Sequence, residues 1–122
     1  MYIRSKYNVG SKETRTFDGI VFQSKDEMKR YTELLLLQKA GAISDLRLQT
    51  PFVLLDSYVK NGKKIQGIIY NADFTYYEND KLIIEDVKGV KTDVYKIKKK
   101  LFEYRYPDLE IRETGAAKWK NC

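Results

Sequence analysis

The stretch that most narrows what this chain can fold into is a pair of β-branched and aromatic runs, residues 65–77 and 82–88, separated only by Glu78-Asn79-Asp80-Lys81. Runs of this composition around a short Asn/Asp turn form an antiparallel hairpin. With Asn79-Asp80 as a two-residue turn, Glu78 opposes Lys81, and counting back along both strands sets Asp73 opposite Asp86. Opposed residues have Cβ atoms roughly 4.5–5.5 Å apart, where two like charges are destabilising unless something compensates. Two residues beyond Asp86, Lys88 emerges on the same face, whereas Glu85 points to the other. A longer turn or a bulge would move the pair and bring Glu85 in as the alternative acid. Ile83, Ile84 and Val87 bracket these acids, a setting in which solvated carboxylates are rare.

A divalent cation is the natural compensator. Two converging carboxylates, water and a substrate phosphate oxygen make a Mg²⁺ site, with Mn²⁺ as the alternative ion. Lys88 then orients the attacking water or neutralises charge on the phosphoryl group. The competing reading is an exposed acid at Asp73 and an ordinary same-face ion pair between Asp86 and Lys88.

The rest of the chain fits around this hairpin. Residues 1–16 carry Arg4, Lys6, Lys12 and Arg15 against Glu13 and read as a basic N-terminal arm; residues 17–122 read as a single domain. Phe17 to Phe22 looks like a turn and short strand. Ser24-Lys25-Asp26-Glu27 has capping-box spacing, followed by Met28, Tyr31, Leu34, Leu35 and Gln38 at helical spacing until Gly41. Four consecutive leucines, Leu34 to Leu37, predict a helix end buried on more than one side. From Ala42 the period falls to two through Leu55, and Asn61-Gly62 marks a turn after Tyr58-Val59. Thr92-Asp93 opens a second helix whose Val94, Ile97, Leu101 and Tyr104 form one apolar stripe, closed by Pro107. Leu109 to Arg112 reads as a last short strand. Helix, strands, helix, strand predicts an α/β domain with a mixed sheet flanked by helices.

Composition removes much chemistry. The 122 residues include no histidine and one cysteine, so His-based triads, His-ligated zinc and an intrachain disulfide framework are excluded. Lone Cys122 suits a reducing cytoplasm. No apolar run approaches the roughly 20 residues that span a bilayer, and the N-terminus lacks a signal-peptide core, so no membrane partner is expected. The net charge of +6 suits a polyanionic partner.

Ala72-Asp73-Phe74 followed by Ile84-Glu85-Asp86-Val87-Lys88-Gly89 resembles the PD-(D/E)xK nuclease motif, with Asp73 as first acid and Asp86-Val87-Lys88 as the D-x-K element. Together with Phe22 to Glu27, Lys39 to Ser44 and Glu85 to Thr92, the string resembles a small phage and prophage family of unknown function grouped with those nucleases, over roughly residues 17–112. The resemblance implies a restriction-endonuclease-like core (αβββαβ) and places Glu27 in the acidic cluster, although Ser24-x-x-Glu27 is equally a helix cap. Ala72 stands where the motif has proline, and the second acid is Asp86 rather than the commoner Glu.

The expectation is therefore a Mg²⁺-dependent endodeoxyribonuclease in which Asp73 and Asp86 bind metal, Glu27 assists and Lys88 is catalytic. Lys91, Lys96, Lys98, Lys99 and Lys100, opposed only by Asp93, would receive the DNA backbone. Tyr95 and Trp119 are candidates for stacking on bases, and Gln49 is an extra polar group near the site. Likeness to small resolvases implies branched DNA, a homodimer and, for a phage-encoded chain, the bacterial host cytoplasm. The rival reading is a DNA- or protein-binding module that keeps the nuclease fold without efficient catalysis.

Overall fold

The computed structural model describes residues 11–115. A 3-10 turn at Glu13–Arg15 leads into β1 (Thr16–Phe17) and β2 (Ile20–Val21), paired across Asp18-Gly19, both at positive φ. Within the expected N-terminal arm, residues 11–16 are held. Arg15 donates to the Phe22 carbonyl, and the Phe22 N–H returns to the Arg15 carbonyl at 2.9 Å. The expected boundary after residue 16 thus falls inside β1, while residues 1–10 lie outside the described residues.

Helix α1 (Lys25–Lys39) begins where the sequence expects: the Ser24 hydroxyl accepts the Glu27 N–H at 3.1 Å. It ends at Gly41, whose φ of 83 lets its N–H reach the Gln38 carbonyl and the next N–H reach that of Leu37. Tyr31 and Leu34 pack against Phe22, Ile43, Phe74, Tyr76 and Ile83. The leucine run is not buried on several sides, because Leu36 is 68% exposed.

Four strands form the central sheet: β3 (Ser44–Leu55), β6 (Ile68–Glu78), β7 (Lys81–Val87) and β8 (Ile111–Thr114), in the order β3-β6-β7-β8. The first three are antiparallel; β8 lies parallel to β7 after a crossover through α2 (Asp93–Arg105). A separate hairpin, β4 (Tyr58–Lys60) and β5 (Lys63–Ile65), is inserted between β3 and β6. The protein is thus a mixed α/β domain. Helix α1 covers one face of the sheet and α2 the other, where Tyr95 and Phe102 meet Leu54, Tyr70, Ala72, Ile84 and Ile111. No helix among the described residues is long and apolar enough to cross a membrane.

Helix α2 turns a different side to the sheet from the one its apolar stripe predicts. Val94, Ile97 and Tyr104 are 63%, 59% and 89% exposed; of the stripe Leu101 packs against the core, and the helix buries Tyr95 and Phe102. Two aromatic residues seven apart outweigh the aliphatic stripe because Phe102 meets Phe52, Tyr70 and Tyr106 at centroid separations of 5.2, 5.7 and 5.1 Å.

Regular alternation along a strand should keep residues of one parity on one face. In β3, however, Leu46 and Leu48 pack with the α1 core while Phe52 and Leu54 pack with the α2 core. In β6 the same exchange separates Tyr70 and Ala72 from Phe74 and Tyr76. Leu48 pairs with Phe74 and Thr50 with Ala72, so both reversals fall at the level of Gln49 and Asp73. Gln49 has a φ of 51, a left-handed backbone within a register that continues one residue to one past Asp73. The sheet therefore changes faces at the level of Asp73.

Candidate active site

The β6–β7 turn is two residues long, with Asn79 and Asp80 both at positive φ, as a type I′ turn requires. Glu78 pairs with Lys81 and the ladder continues to Phe74–Glu85, which leaves Asp73 and Asp86 as the next residues along each strand. Both are buried, at 8% and 2% exposure, and their carboxyls face each other closely enough to share a hydrogen bond. Asp73 also accepts the Val87 N–H at 2.8 Å. Burial pushes Asp73 up to about 6, opposed by its hydrogen bond with Asp86 and helped by the nearby Glu27; burial and then the neighbouring Asp73 push Asp86 up to about 7, against the pull of Lys88 and Tyr70. Sharing a proton belongs to the pair rather than to either residue.

Glu27 reinforces the helix start and stands beside Asp73. One carboxylate oxygen accepts the Gln23 N–H at 2.9 Å, reinforcing the helix start, and the other faces Gln49 Nε2 at 3.4 Å. Gln49 Nε2 also lies 3.5 Å from Asp73, and the negative charge of Glu27 contributes to the upward shift of Asp73. Lys88 Nζ stands 3.3 Å from Asp86 Oδ1 and 4.0 Å above the centre of the Tyr95 ring. Its ammonium is held between a carboxylate and a π-face.

Glu85 does not join this cluster. It points to the α1 face, fully buried, where Arg30 reaches it at 2.6 and 3.1 Å, Tyr76 donates at 2.5 Å and Thr114 at 3.1 Å. Burial opposes the Arg30 charge, but Glu85 holds the guanidinium above its ordinary value. The alternative acid is thus a structural ion pair, because the short turn preserves the register.

The lysines also divide. Lys91 and Lys99 reach Glu113 at 2.9 and 3.1 Å, and Lys98 donates to the Ile69 carbonyl at 3.0 Å. Asp93 is therefore not their only counter-charge: Glu113, which pairs with Asp86 across β7 and β8, also accepts the Tyr95 hydroxyl at 2.7 Å. Although burial works against its charge, Lys91, Tyr95 and Lys99 push Glu113 down to about 2. Lys96 and Lys100 are exposed. Trp119 and Cys122 lie outside the described residues.

Two residues in the site were not singled out by sequence reasoning. Tyr70 donates to Asp86 Oδ2, reaching Asp86's face only because the alternation of β6 reverses at Asp73. Glu113 is brought level with Asp86 by parallel pairing that follows a helix crossover. Neither carries a sequence signal of its own.

The oxygens that meet here are carboxylate oxygens, hard ligands preferred by Mg²⁺, which commonly binds through one or two carboxylates and keeps several waters. Two buried acids facing each other fit that demand. Among the described residues no third acid stands with them at ligand spacing, so Glu27 sits behind Asp73. No curated protein and no solved structure matches the chain. A family model described as "Protein of unknown function (DUF1064)" matches residues 4–121, and the chain belongs to that family.

Proposed function

We propose that this protein is a Mg²⁺-dependent DNA endonuclease, served also by Mn²⁺, with a restriction-endonuclease-like core. The observation that carries the reading is the pair of buried carboxyls, Asp73 and Asp86, meeting beneath the Lys88 ammonium. The element order α1-β3-β6-β7-α2-β8 supports the core assignment.

Asp73 and Asp86 would hold the ion, which when bound supplies positive charge to the phosphate and makes water more acidic. The protein's own residues supply the orientation. Tyr70 fixes one oxygen of Asp86, the Val87 N–H fixes one of Asp73, and Glu27 with Gln49 backs Asp73. Lys88 has donors to spare beyond Asp86, so it can orient the attacking water and stabilise charge gathering on the phosphoryl oxygens. Burial of the pair excludes bulk water, which strengthens each of these interactions.

The test is incubation of the purified protein with Mg²⁺ or Mn²⁺ on linear duplex, single-stranded and four-way-junction DNA, beside Asp86→Asn. Metal-dependent cutting that the variant loses is the expected result. Preference for the junction, with paired symmetrical cuts by a species sedimenting as a dimer, would extend the reading to resolvase-like action. Tight DNA binding with no cutting under either metal overturns the enzyme in favour of a binding module. Full activity in Lys88→Ala would remove the lysine from the mechanism.

A further inference from the structure

The inserted β4–β5 hairpin has no role in the site or in either core. Residues 55–66 are exposed without interruption, and the hairpin forms its own two-stranded ribbon rather than joining the central sheet. Its sequence from Tyr58 to Ile65 contains Lys60, Lys63 and Lys64 and no acid. The register Tyr58–Ile65, Val59–Lys64, Lys60–Lys63 around Asn61-Gly62, both at positive φ, sets Lys60 and Lys63 opposite each other next to the turn, with Lys64 adjacent on the other face. Val59 is 71% exposed and Tyr58 46%, although nothing in the core explains apolar side chains there.

The ribbon's base is firmly seated. A Cβ at Gly67 would lie 2.2 Å from the Leu55 carbonyl oxygen and 2.9 Å from the Ser57 nitrogen, so the chain returns from the ribbon in close contact with its outgoing strand. From α2, Tyr106 donates to the Val53 carbonyl at 2.8 Å and Arg105 reaches Asp56 at 3.3 Å. The position is also informative. β3 and β7 end, and β6 begins, at the same edge of the sheet, so the ribbon springs from the edge at which β7 delivers Asp86 and Lys88. Asp73 lies five residues inside β6 from Ile68, about 17 Å from the ribbon's root, and the ribbon adds about 10 Å more.

Resting on the nuclease reading for its substrate, we infer that this ribbon is a duplex-DNA contact that grips the substrate away from the scissile phosphate. Two strands about 4.8 Å apart with their side chains suit a major groove about 12 Å wide. The lysines meet the flanking phosphates, and Tyr58 and Val59 meet sugars and base edges. At about 3.4 Å per base pair, a contact 17–27 Å from the acids falls roughly five to eight base pairs from the cut. The main basic grip on DNA is therefore placed on the ribbon rather than around α2, where Lys91 before the helix and Lys98 and Lys99 within it already have partners.

The test uses the full chain with Lys60→Gln, Lys63→Gln and Lys64→Gln together, positions whose exposure leaves folding unaffected, with circular dichroism as the check. Duplex binding is followed by fluorescence anisotropy between 50 and 200 mM salt without divalent metal. Three lost phosphate contacts lower the slope of log K against log salt by about 2.7, so across that range the native protein loses about 40-fold more affinity than the variant. Lys39→Gln with Lys81→Gln, exposed lysines away from this edge, leaves the slope unchanged. Cutting by the ribbon variant at saturating DNA keeps its rate while KM rises. An unchanged slope in the triple variant overturns the inference even if the native protein cuts DNA. A native protein that binds duplex with the predicted slope difference but never cuts overturns the nuclease reading and keeps the ribbon. Failure of the native protein to bind duplex overturns the inference, while the nuclease reading stands or falls on the cutting assay.

Discussion

Glu85 and Asp86 are neighbours in one strand, almost equally buried at 0% and 2% exposure, and they have opposite fates. Glu85 faces α1 and receives Arg30, Tyr76 and Thr114. Asp86 faces α2 and meets another carboxyl, Asp73, with Lys88 as its cation among the described residues. Burial is common to the two acids; their partners set them apart. On one face the charge is matched within the fold, and on the other it is left for something else to match.

The largest expected effect comes from breaking the matched side. Arg30→Ala strands Glu85 without its cation and should cost roughly 3–5 kcal/mol of unfolding free energy, read as a lowered urea midpoint. A cost near zero would mean that Glu85 is not carried as a buried ion and the comparison fails. The unmatched side should respond in the opposite sense. Asp86→Asn removes a like charge, so the metal-free protein should gain stability at pH 8 while cutting falls at least about 100-fold, some 2.7 kcal/mol of barrier. Loss of both stability and activity would make Asp86 structural as well.

The third prediction concerns pH. Asp73 and Asp86 are raised by burial to about 6 and about 7, so the folded state holds their protons more tightly than the unfolded one. Their contribution is fully present below about pH 4 and is lost as pH rises through about 6 to 7. Mg²⁺, competing with that proton, should stabilise only in the upper window: at pH 8 it raises the melting temperature by at least about 5 °C, and at pH 5 it does not. Equal shifts at both values, or a shift that persists in Asp86→Asn, would place the ion elsewhere. The smallest effect belongs to the seat of Lys88. Tyr95→Leu removes the ring beneath the ammonium, worth roughly 0.5–2 kcal/mol, and should slow cutting about 2- to 30-fold. Tyr95→Phe keeps the ring and most of the rate.

Much of this comparison was legible before any coordinates, because it depends on local geometry. A two-residue turn at Asn79-Asp80 and a period of two are enough to bring Asp73 toward Asp86, put Lys88 beside them and send Glu85 away. The Ser24 cap and the Gly41 stop were legible for the same reason: each is a contact between residues three or four apart. What was misread depends on distant partners. The stripe Val94, Ile97, Leu101 and Tyr104 has correct helical spacing, yet Tyr95 and Phe102 have equally good spacing on another side. Only the aromatic residues of β3 and β6 choose between them. The lysines of α2 looked uncommitted because Glu113 arrives from a parallel strand beyond the helix.

By itself, then, the sequence determined the two helices, the hairpin register and the meeting of two acids with a lysine, since these follow from chain geometry over a few residues, whereas the run 65–77 divides between β5 and β6. The tertiary structure decided which helix side is buried, which lysines are neutralised and how the sheet changes faces at Gln49 and Asp73 to deliver Tyr70 to Asp86. Those outcomes depend on competition between packings of similar local quality, and contacts between residues far apart in the chain settle it.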